Sequence, residues 1–384
     1  MIELETFRGE ARKWFADQNL PVVPLDIDGR FEVLRAWQRT LFESGWLGIS
    51  WSTEVGGRGL SPVHQLVFNE ELVRARAPQP IGLIGLEVVG RSIEHYGSDW
   101  QRRELLPRLL SGEDIWCQGF SEPEAGSDLA SLRTSARDAG EDFVVSGQKV
   151  WTSWAKQAQW CALLVRTDRD APKHKGISYL LVDMSSPGIT VRPLVQMTGD
   201  EEFCEVFFDE VSVPKRNLVG EINAGWAVAN HTLGSERGSY TVRRRAELEV
   251  AFDDAVAQVQ SWSGGGRERV PDRVAAALGK AQIALQVLEG QTRKTIDRLV
   301  AAAGPTAEDS LDKLLLNGVE QAVFESVVDL LGPFRTAPNL APFGLEAERW
   351  IHDHYFSRAV SIYGGTSQIQ RNIIAQRILG LPRG

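Results

Sequence analysis

A chain of 384 residues, 43% hydrophobic and 24% charged, has ordinary globular composition and length enough for two or three cores, which excludes a disordered or fibrous chain. Its formal charge of −9 leaves no basic stripe for a nucleic-acid backbone. Cys117, Cys161 and Cys204 come without CxxC or Cys/His metal spacing, so buried thiols in a reducing compartment and no metal site are expected. The N-terminal stretch MIELETFRGEARKWF carries acidic residues and no unbroken apolar core, and no window nears the roughly 18 apolar residues of a membrane span. The expectation is a cytoplasmic protein with no membrane or nucleic-acid partner.

The first 115 residues read as helices. Leu4, Phe7, Ala11, Trp14 and Phe15 recur at helical spacing, Ser61 stands as an N-cap before Val63, Leu66, Val67 and Leu72, and DWQRRELLPRLLSGE alternates charge with leucine. From Trp116 to Val219 the pattern changes to short β-branched or aromatic runs, FVVSGQKVWT, WCALLVRT, ISYLLVDM, ITVRPLV and FCEVFFDEVSV, separated by turn residues. Strands so spaced predict a compact antiparallel barrel or sandwich. After Gly225 the helical period returns: Leu311, Leu315, Val319, Val323, Val327 and Leu331 fall four apart, and Gly332-Pro333 is a stop signal. SWSGGGRERVPDR, residues 261–273, reads as a loop between two long helices, and such helices with short connections predict a bundle. The expected fold class is α+β, mostly α: an N-terminal helical domain (1–115), a central β domain (116–222) and a C-terminal four-helix bundle (223–384).

Three segments carry residues suited to chemistry. In GFSEPEAGSDLASLRTSA, residues 119–136, Pro123 and Gly126 shape a turn in which Ser121 and Ser127 offer hydroxyls. Its backbone N–H groups form either an anion-binding nest or a plain loop with serines capping turns. In GQKVWTSWAKQAQW, Trp151 and Ser153 share a strand face. That pair is either an indole platform with a hydroxyl beside it, suited to a planar aromatic ligand, or a core tryptophan near a solvated serine. Gly364 and Gly365 precede the IQRNIIAQRIL helix; the pair permits close backbone approach to an anion, although a lone diglycine before a helix is far more often a turn.

Together and in this order, FSEPEAGSD, QKVWTS and IYGGTSQIQRNIIA resemble the acyl-CoA dehydrogenase family, over almost the whole chain. The resemblance implies α,β-desaturation of an acyl-CoA thioester to a trans-2-enoyl-CoA, noncovalent FAD as cofactor and an electron-transfer flavoprotein as acceptor. It implies that Phe120 and Ser121 meet the flavin ring through backbone and hydroxyl, and that Gly126 and Ser127 lie along the ligand's phosphate-bearing side. Trp151 would pack on the isoalloxazine with Ser153 bonded near N5, and Thr366 and Gln368 would contact FAD farther from the reacting ring.

The family's chemistry takes a proton from the α-carbon while the β-carbon gives a hydride to flavin N5. An α-proton is weakly acidic, so a positioned base and donors for the enolate-like carbonyl are needed. Many members carry a glutamate between the tyrosine and glycine of the C-terminal motif, where this chain has Gly364. In HTLGSERGSYTVRRR, residues 231–245, Glu236 followed by Arg237 matches the alternative location used by the isovaleryl-CoA and long-chain branches. The resemblance thus implies Glu236 as base, the Gly364 backbone N–H as donor to the thioester carbonyl, Arg237 near the CoA substrate and Tyr363 at the acyl pocket. A carboxylate facing flavin and an acyl chain is desolvated, which raises its pKa toward a useful range.

Two segments depart from the family pattern. SGGGRERVPDR stands where many homotetrameric members have an RKTFGK-like segment reaching a neighbour's FAD, and LLGPFRTAPN replaces the usual GGxG segment. This resembles bacterial members built as two-subunit assemblies, some acting on bulky or sterol-derived CoA esters. A homo-oligomer or a heterotetramer with a paralogous subunit is expected. Two other functions stay open on the sequence: a noncatalytic or supporting FAD-binding subunit, and an oxygen-using flavoenzyme of the same fold.

Overall fold

The structure, a computed structural model, describes residues 3–262, 270–301, 306–337 and 345–382, and at 235–239, 262, 333, 345 and 346 it describes the backbone alone. Helices α1 (Leu4–Ala16), α2 (Ile27–Glu43), α3 (Pro62–Arg74), α4 (Gly90–Tyr96) and α5 (Leu106–Ser111) lead the chain. Strands β1 (Trp116–Gly119), β2 (Ser135–Ala139), β3 (Asp142–Ser153), β4 (Trp160–Arg166), β5 (Ile177–Asp183), β6 (Ile189–Pro193), β7 (Phe203–Pro214) and β8 (Leu218–Val219) follow. Helices α6 (Gly225–Trp262), α7 (Asp272–Val300), α8 (Asp309–Leu331), α9 (Leu345–Phe356) and α10 (Ser367–Ile373) complete it. This is the mostly helical α+β chain with a central sheet that the sequence predicts. Among the described residues no helix is long and apolar enough to cross a membrane.

Contacts divide the chain into two compact units. One comprises Asn19–Gln65 and Pro78–Glu236, the other Ile2–Gln18, Leu66–Ala77 and Arg237–Gly384.

The first unit holds the sheet, in the order β6-β7-β3-β2-β4-β5-β8 with β1 paired to β4. Its pairings are antiparallel except at β4, which β1 joins in parallel and β2 meets in parallel at Ser135 and Arg166. The sequence reading anticipates only antiparallel pairs. A parallel pair needs a long connection, and the chain between β1 and β4 supplies it by first folding β2 onto β3. Strands β4 and β5 are buried on both faces, which is why WCALLVR and ISYLLVD read as continuous runs rather than alternations. All three cysteines are free and buried, with Cys117 opposite Cys161 across β1 and β4.

In the second unit, α6, α7 and α8 pack Leu248, Leu285, Leu288, Leu316, Val319 and Val323 into one core. Along α7 the buried positions Val274, Ala281, Leu285, Leu288, Thr292 and Thr295 keep helical spacing. Gly332 at φ +54 follows the last residue of α8, as its stop signal predicts. Of the loop expected at 261–273, residues 263–269 lie outside the described residues, as do 338–344. Helix α1 belongs to this unit. It buries Phe7, Ala11 and Phe15, and its Arg8 and Arg12 each stand 2.7 Å from the nearly inaccessible Glu71 carboxylate of α3. Burial would raise that carboxyl; its hydrogen bonds to Arg12 and Arg8 outweigh burial and hold it below the usual range.

Deeper in the bundle, Arg244 of α6 donates two 2.9 Å hydrogen bonds to Glu320 of α8, whose side chain is 0% exposed. A buried pair of this kind stabilises little relative to apolar residues, but breaking it is costly, and Arg244 would keep only its 2.7 Å bond to Glu247. Glu320→Ala is therefore expected to destabilise the protein by about 3 kcal/mol in chemical denaturation, with Arg244→Met/Glu320→Leu recovering most of it. A single variant as stable as the parent contradicts this reading.

Candidate functional site

Strand β1 delivers the chain to the first loaded turn. A Cβ at Gly119 would lie 2.8 Å from Leu163 Cδ1 and 2.9 Å from Cys161 Sγ, so the strand ends on a glycine packed against β4. Phe120 turns its ring inward, edge-on to Tyr179 at 5.9 Å. Glu122 N donates to Ala125 O and Ala125 N to Glu122 O, at 3.1 and 3.0 Å, closing the turn. Gly126 and Ser127 follow it, both exposed, and a Cβ at Gly126 would meet nothing within 4 Å.

Beneath this turn lies a group to which the sequence reading assigned no role. Lys149 of β3 is 0% exposed and donates from Nζ to Phe120 O at 3.0 Å and Glu122 Oε1 at 2.8 Å. The same carboxylate accepts from Arg133 N at 2.7 Å and Thr134 N at 2.9 Å. Burial opposes the charge on both partners. For Glu122 the Lys149 ammonium and the hydrogen-bond donors outweigh burial and hold its carboxyl below the ordinary range; for Lys149 burial prevails and pushes its pKa down. Val150 N adds a 3.0 Å bond to Ser121 O. Strand β3 thus holds Phe120, Ser121 and Glu122 in place.

Immediately beyond Lys149 the strand bulges. Lys149 pairs with Val206 and Thr152 with Cys204, so three steps on β3 face two on β7. The extra residue turns outward: Trp151 sits at φ +61 and is 61% exposed, edge-on to Phe203 at 6.2 Å. A tryptophan in that backbone region costs about 1–3 kcal/mol, and such strain gathers at functional sites. Trp151 is thereby excluded from the core role left open by its sequence. Ser153 stands beside it, half-buried. The first unit therefore ties Phe120 and Ser121 to Lys149 and Val150 of β3, the residues that lead into Trp151 and Ser153, while Gly126 and Ser127 follow the turn.

The second unit carries the C-terminal motif. Tyr363 bonds through its hydroxyl to the Tyr240 hydroxyl of α6 at 2.7 Å. Gly364 and Gly365 follow at φ +64 and +89, in the region that favours glycine. Thr366 caps α10 by accepting from Ile369 N at 3.2 Å, Ser367 Oγ lies 3.0 Å from the Asn317 side chain, and Gln368 is exposed. Gln370, 0% exposed, donates to the carbonyls of both glycines at 3.0 and 3.2 Å.

Glu236 and Arg237 fall within α6, but their side chains lie outside the described residues. Sequence reasoning missed Tyr240 and Gln370 as well as the Lys149–Glu122 pair. For Lys149 a signal exists, a lone lysine inside a strand pattern; for Gln370 there is none, since glutamine on an amphipathic helix is unremarked.

Family models for the N-terminal, middle and C-terminal domains of acyl-CoA dehydrogenase match residues 2–113, 117–211 and 223–379. The chain belongs to the acyl-CoA dehydrogenase family. It is 38% identical over 396 residues to acyl-CoA dehydrogenase IpdE1 of Mycobacterium tuberculosis, covering 100% of this chain and 99% of that protein. Among solved structures it resembles the ChsE4-ChsE5 complex of Mycobacterium tuberculosis, with 32% identity, TM-score 0.83 and coverage of 100% and 99%. It also resembles the Tcur3481-Tcur3483 steroid ACAD, with 28% identity, TM-score 0.86 and coverage of 99% and 98%. An acyl-CoA dehydrogenase is an oxidoreductase, and the family is one of FAD-dependent flavoproteins.

Lys149→Met leaves the Glu122 carboxylate buried without its ammonium and the Phe120 carbonyl without its donor. We expect a loss of about 3–5 kcal/mol, read by thermal denaturation, with part of it recovered in Lys149→Met/Glu122→Gln. An unchanged melting temperature in the single variant means the pair contributes nothing to holding the turn.

Proposed function

We propose that this acyl-CoA dehydrogenase desaturates a bulky acyl-CoA thioester between Cα and Cβ, giving the trans-2-enoyl-CoA, with Glu236 as the base. The observation that carries the reading is the outward bulge at Trp151, an indole platform at φ +61 that the fold leaves out of its own core. An exposed ring, a half-buried hydroxyl at Ser153 and the open backbone at Gly126 and Ser127 fit a planar aromatic group carrying phosphates. Phe120, Ser121, Gly126, Ser127, Trp151 and Ser153 would hold FAD, with Thr366 and Gln368 contacting it farther from the ring. Bound FAD supplies the acceptor for the β-hydride.

The remaining chemistry falls to the chain's own groups. Glu236 takes the α-proton, and the Gly364 N–H donates to the thioester oxygen as negative charge develops there. Backbone geometry supports a base located elsewhere than residue 364. At φ +64 a glutamate in that place would be strained, whereas glycine is not. Arg237 lies near the CoA portion and Tyr363 borders the acyl group. An electron-transfer flavoprotein then reoxidises the enzyme.

A sterol-derived substrate and a paralogous partner subunit are supported by the likeness to a steroid enzyme and to a two-component complex. Association, with itself or a paralogue, is also supported by α7, which exposes Ile283 at 64% and Val287 at 51%, a helical turn apart. The protein would act in the cytoplasm.

Glu236→Gln tests the base. The flavin-loaded variant should bleach roughly 10²–10⁴-fold more slowly than the parent on anaerobic mixing with acyl-CoA. A flavin-loaded variant that bleaches at the parent's rate refutes the assignment. Bleaching that begins only after a paralogous subunit is added identifies the supporting-subunit arrangement instead.

A further inference from the structure

A hydrogen-bond donor carried by a diglycine is poorly suited to its task unless something holds it, because glycine has the most backbone freedom to lose. Preorganised donors contribute to catalysis only when their direction is fixed before charge develops. In this chain the residues flanking Gly364 are braced on both sides, by Tyr240 of α6 and Gln370 of α10.

On the N-terminal side, Tyr363 is fixed by the 2.7 Å bond between its hydroxyl and that of Tyr240. The two rings meet edge to face at 6.4 Å, and the Lys313 ammonium lies 4.3 Å from the Tyr363 ring centre and 5.5 Å from that of Tyr240. A cation over both ring faces favours this arrangement. Burial pushes both hydroxyls well above their ordinary pKa, so both stay protonated and the bond persists across the working pH range. On the C-terminal side, Gln370 Nε2 donates to Gly364 O at 3.0 Å and Gly365 O at 3.2 Å, fixing both peptide planes that follow Gly364. A Cβ at Gly365 would lie 2.7 Å from that same nitrogen, so the amide is seated directly against the loop.

We infer that Tyr240 and Gln370 are positioning residues that aim the Gly364 N–H at the thioester oxygen. The inference rests on the proposed role of Gly364 and adds to it. Tyr240 has a second consequence through its place in the chain: it lies on α6, one turn after Glu236. Its hydroxyl therefore ties the helix that carries the proposed base to the loop that carries the proposed donor.

The test uses a 3-ketoacyl-CoA, acetoacetyl-CoA, whose acidic α-carbon forms an enolate without passing electrons on. The enolate fraction of the bound probe is read by absorbance against pH in flavin-loaded parent, Tyr240→Phe, Gln370→Met and Tyr240→Phe/Tyr363→Phe, alongside melting temperature and flavin content. We expect the parent to lower the probe's apparent pKa below its value in water. Each single variant should hold roughly tenfold less enolate at a given pH, at an unchanged flavin content. The double variant should match Tyr240→Phe, because both remove the same bond. A parent that lowers the probe's pKa, with Tyr240→Phe lowering it equally, overturns the positioning role while leaving the dehydrogenase reading intact. A parent that leaves the probe's pKa as in water overturns the Gly364 donor and the inference with it. Tyr240→Phe removes one oxygen only, so it decides the matter even where Gln370→Met fails to fold.

Discussion

The buried ion pair between Lys149 and Glu122 is the constraint on which the first unit's candidate site depends. A lysine with no exposed surface must have its charge compensated and its donors satisfied. Here that requirement is met by a turn: the Phe120 carbonyl and the Glu122 carboxylate, the latter also anchored by two backbone N–H groups. The geometry runs in both directions. The turn cannot shift without stranding the ammonium, and β3 cannot slip along β7 without withdrawing it. Two residues later the bulge turns Trp151 outward. A single polar contact thus fixes both the turn at 120–127 and the segment at 151–153 to one frame.

The second unit meets a comparable demand with neutral groups. Its diglycine takes up backbone angles closed to most residues, which allows close approach but leaves the loop with much freedom to lose. Side chains from three helices restrict that freedom: Tyr240 of α6, Asn317 of α8 and Gln370 of α10. Around them, Arg244, Glu320 and Lys313 make this part of the bundle polar where a helical bundle is usually apolar.

Much of the fold is legible in the sequence because periodicity records which face is buried. The spacing of Phe7, Ala11 and Phe15 gives α1, and the period-four row ending at Leu331 gives α8 with its stop. The parallel pairing of β1 with β4 is not legible, since it depends on where the chain goes between them rather than on either strand's residues. Membership of α1 in the second unit hides for the same reason: it is set by Arg8 and Arg12 meeting a glutamate some sixty residues away. In the site, the motifs with Phe120, Trp151 and Gly364 are visible as local sequence. The bulge at Trp151 is not, because one extra residue is defined only against β7. Lys149 and Gln370 are ordinary polar residues until their partners, distant or reached through a turn, are known.

The central proposal is that Glu236 takes the α-proton and that Gly364, in a loop held by Tyr240 and Gln370, polarises the thioester. It is tested most directly by a crystal structure of the flavin-loaded protein with an unreactive acyl-CoA analogue bound. The account predicts a Glu236 carboxylate oxygen about 3–3.5 Å from the α-carbon and the Gly364 nitrogen about 3 Å from the thioester oxygen. A different carboxylate at the α-carbon, or a thioester oxygen turned away from Gly364, would contradict it.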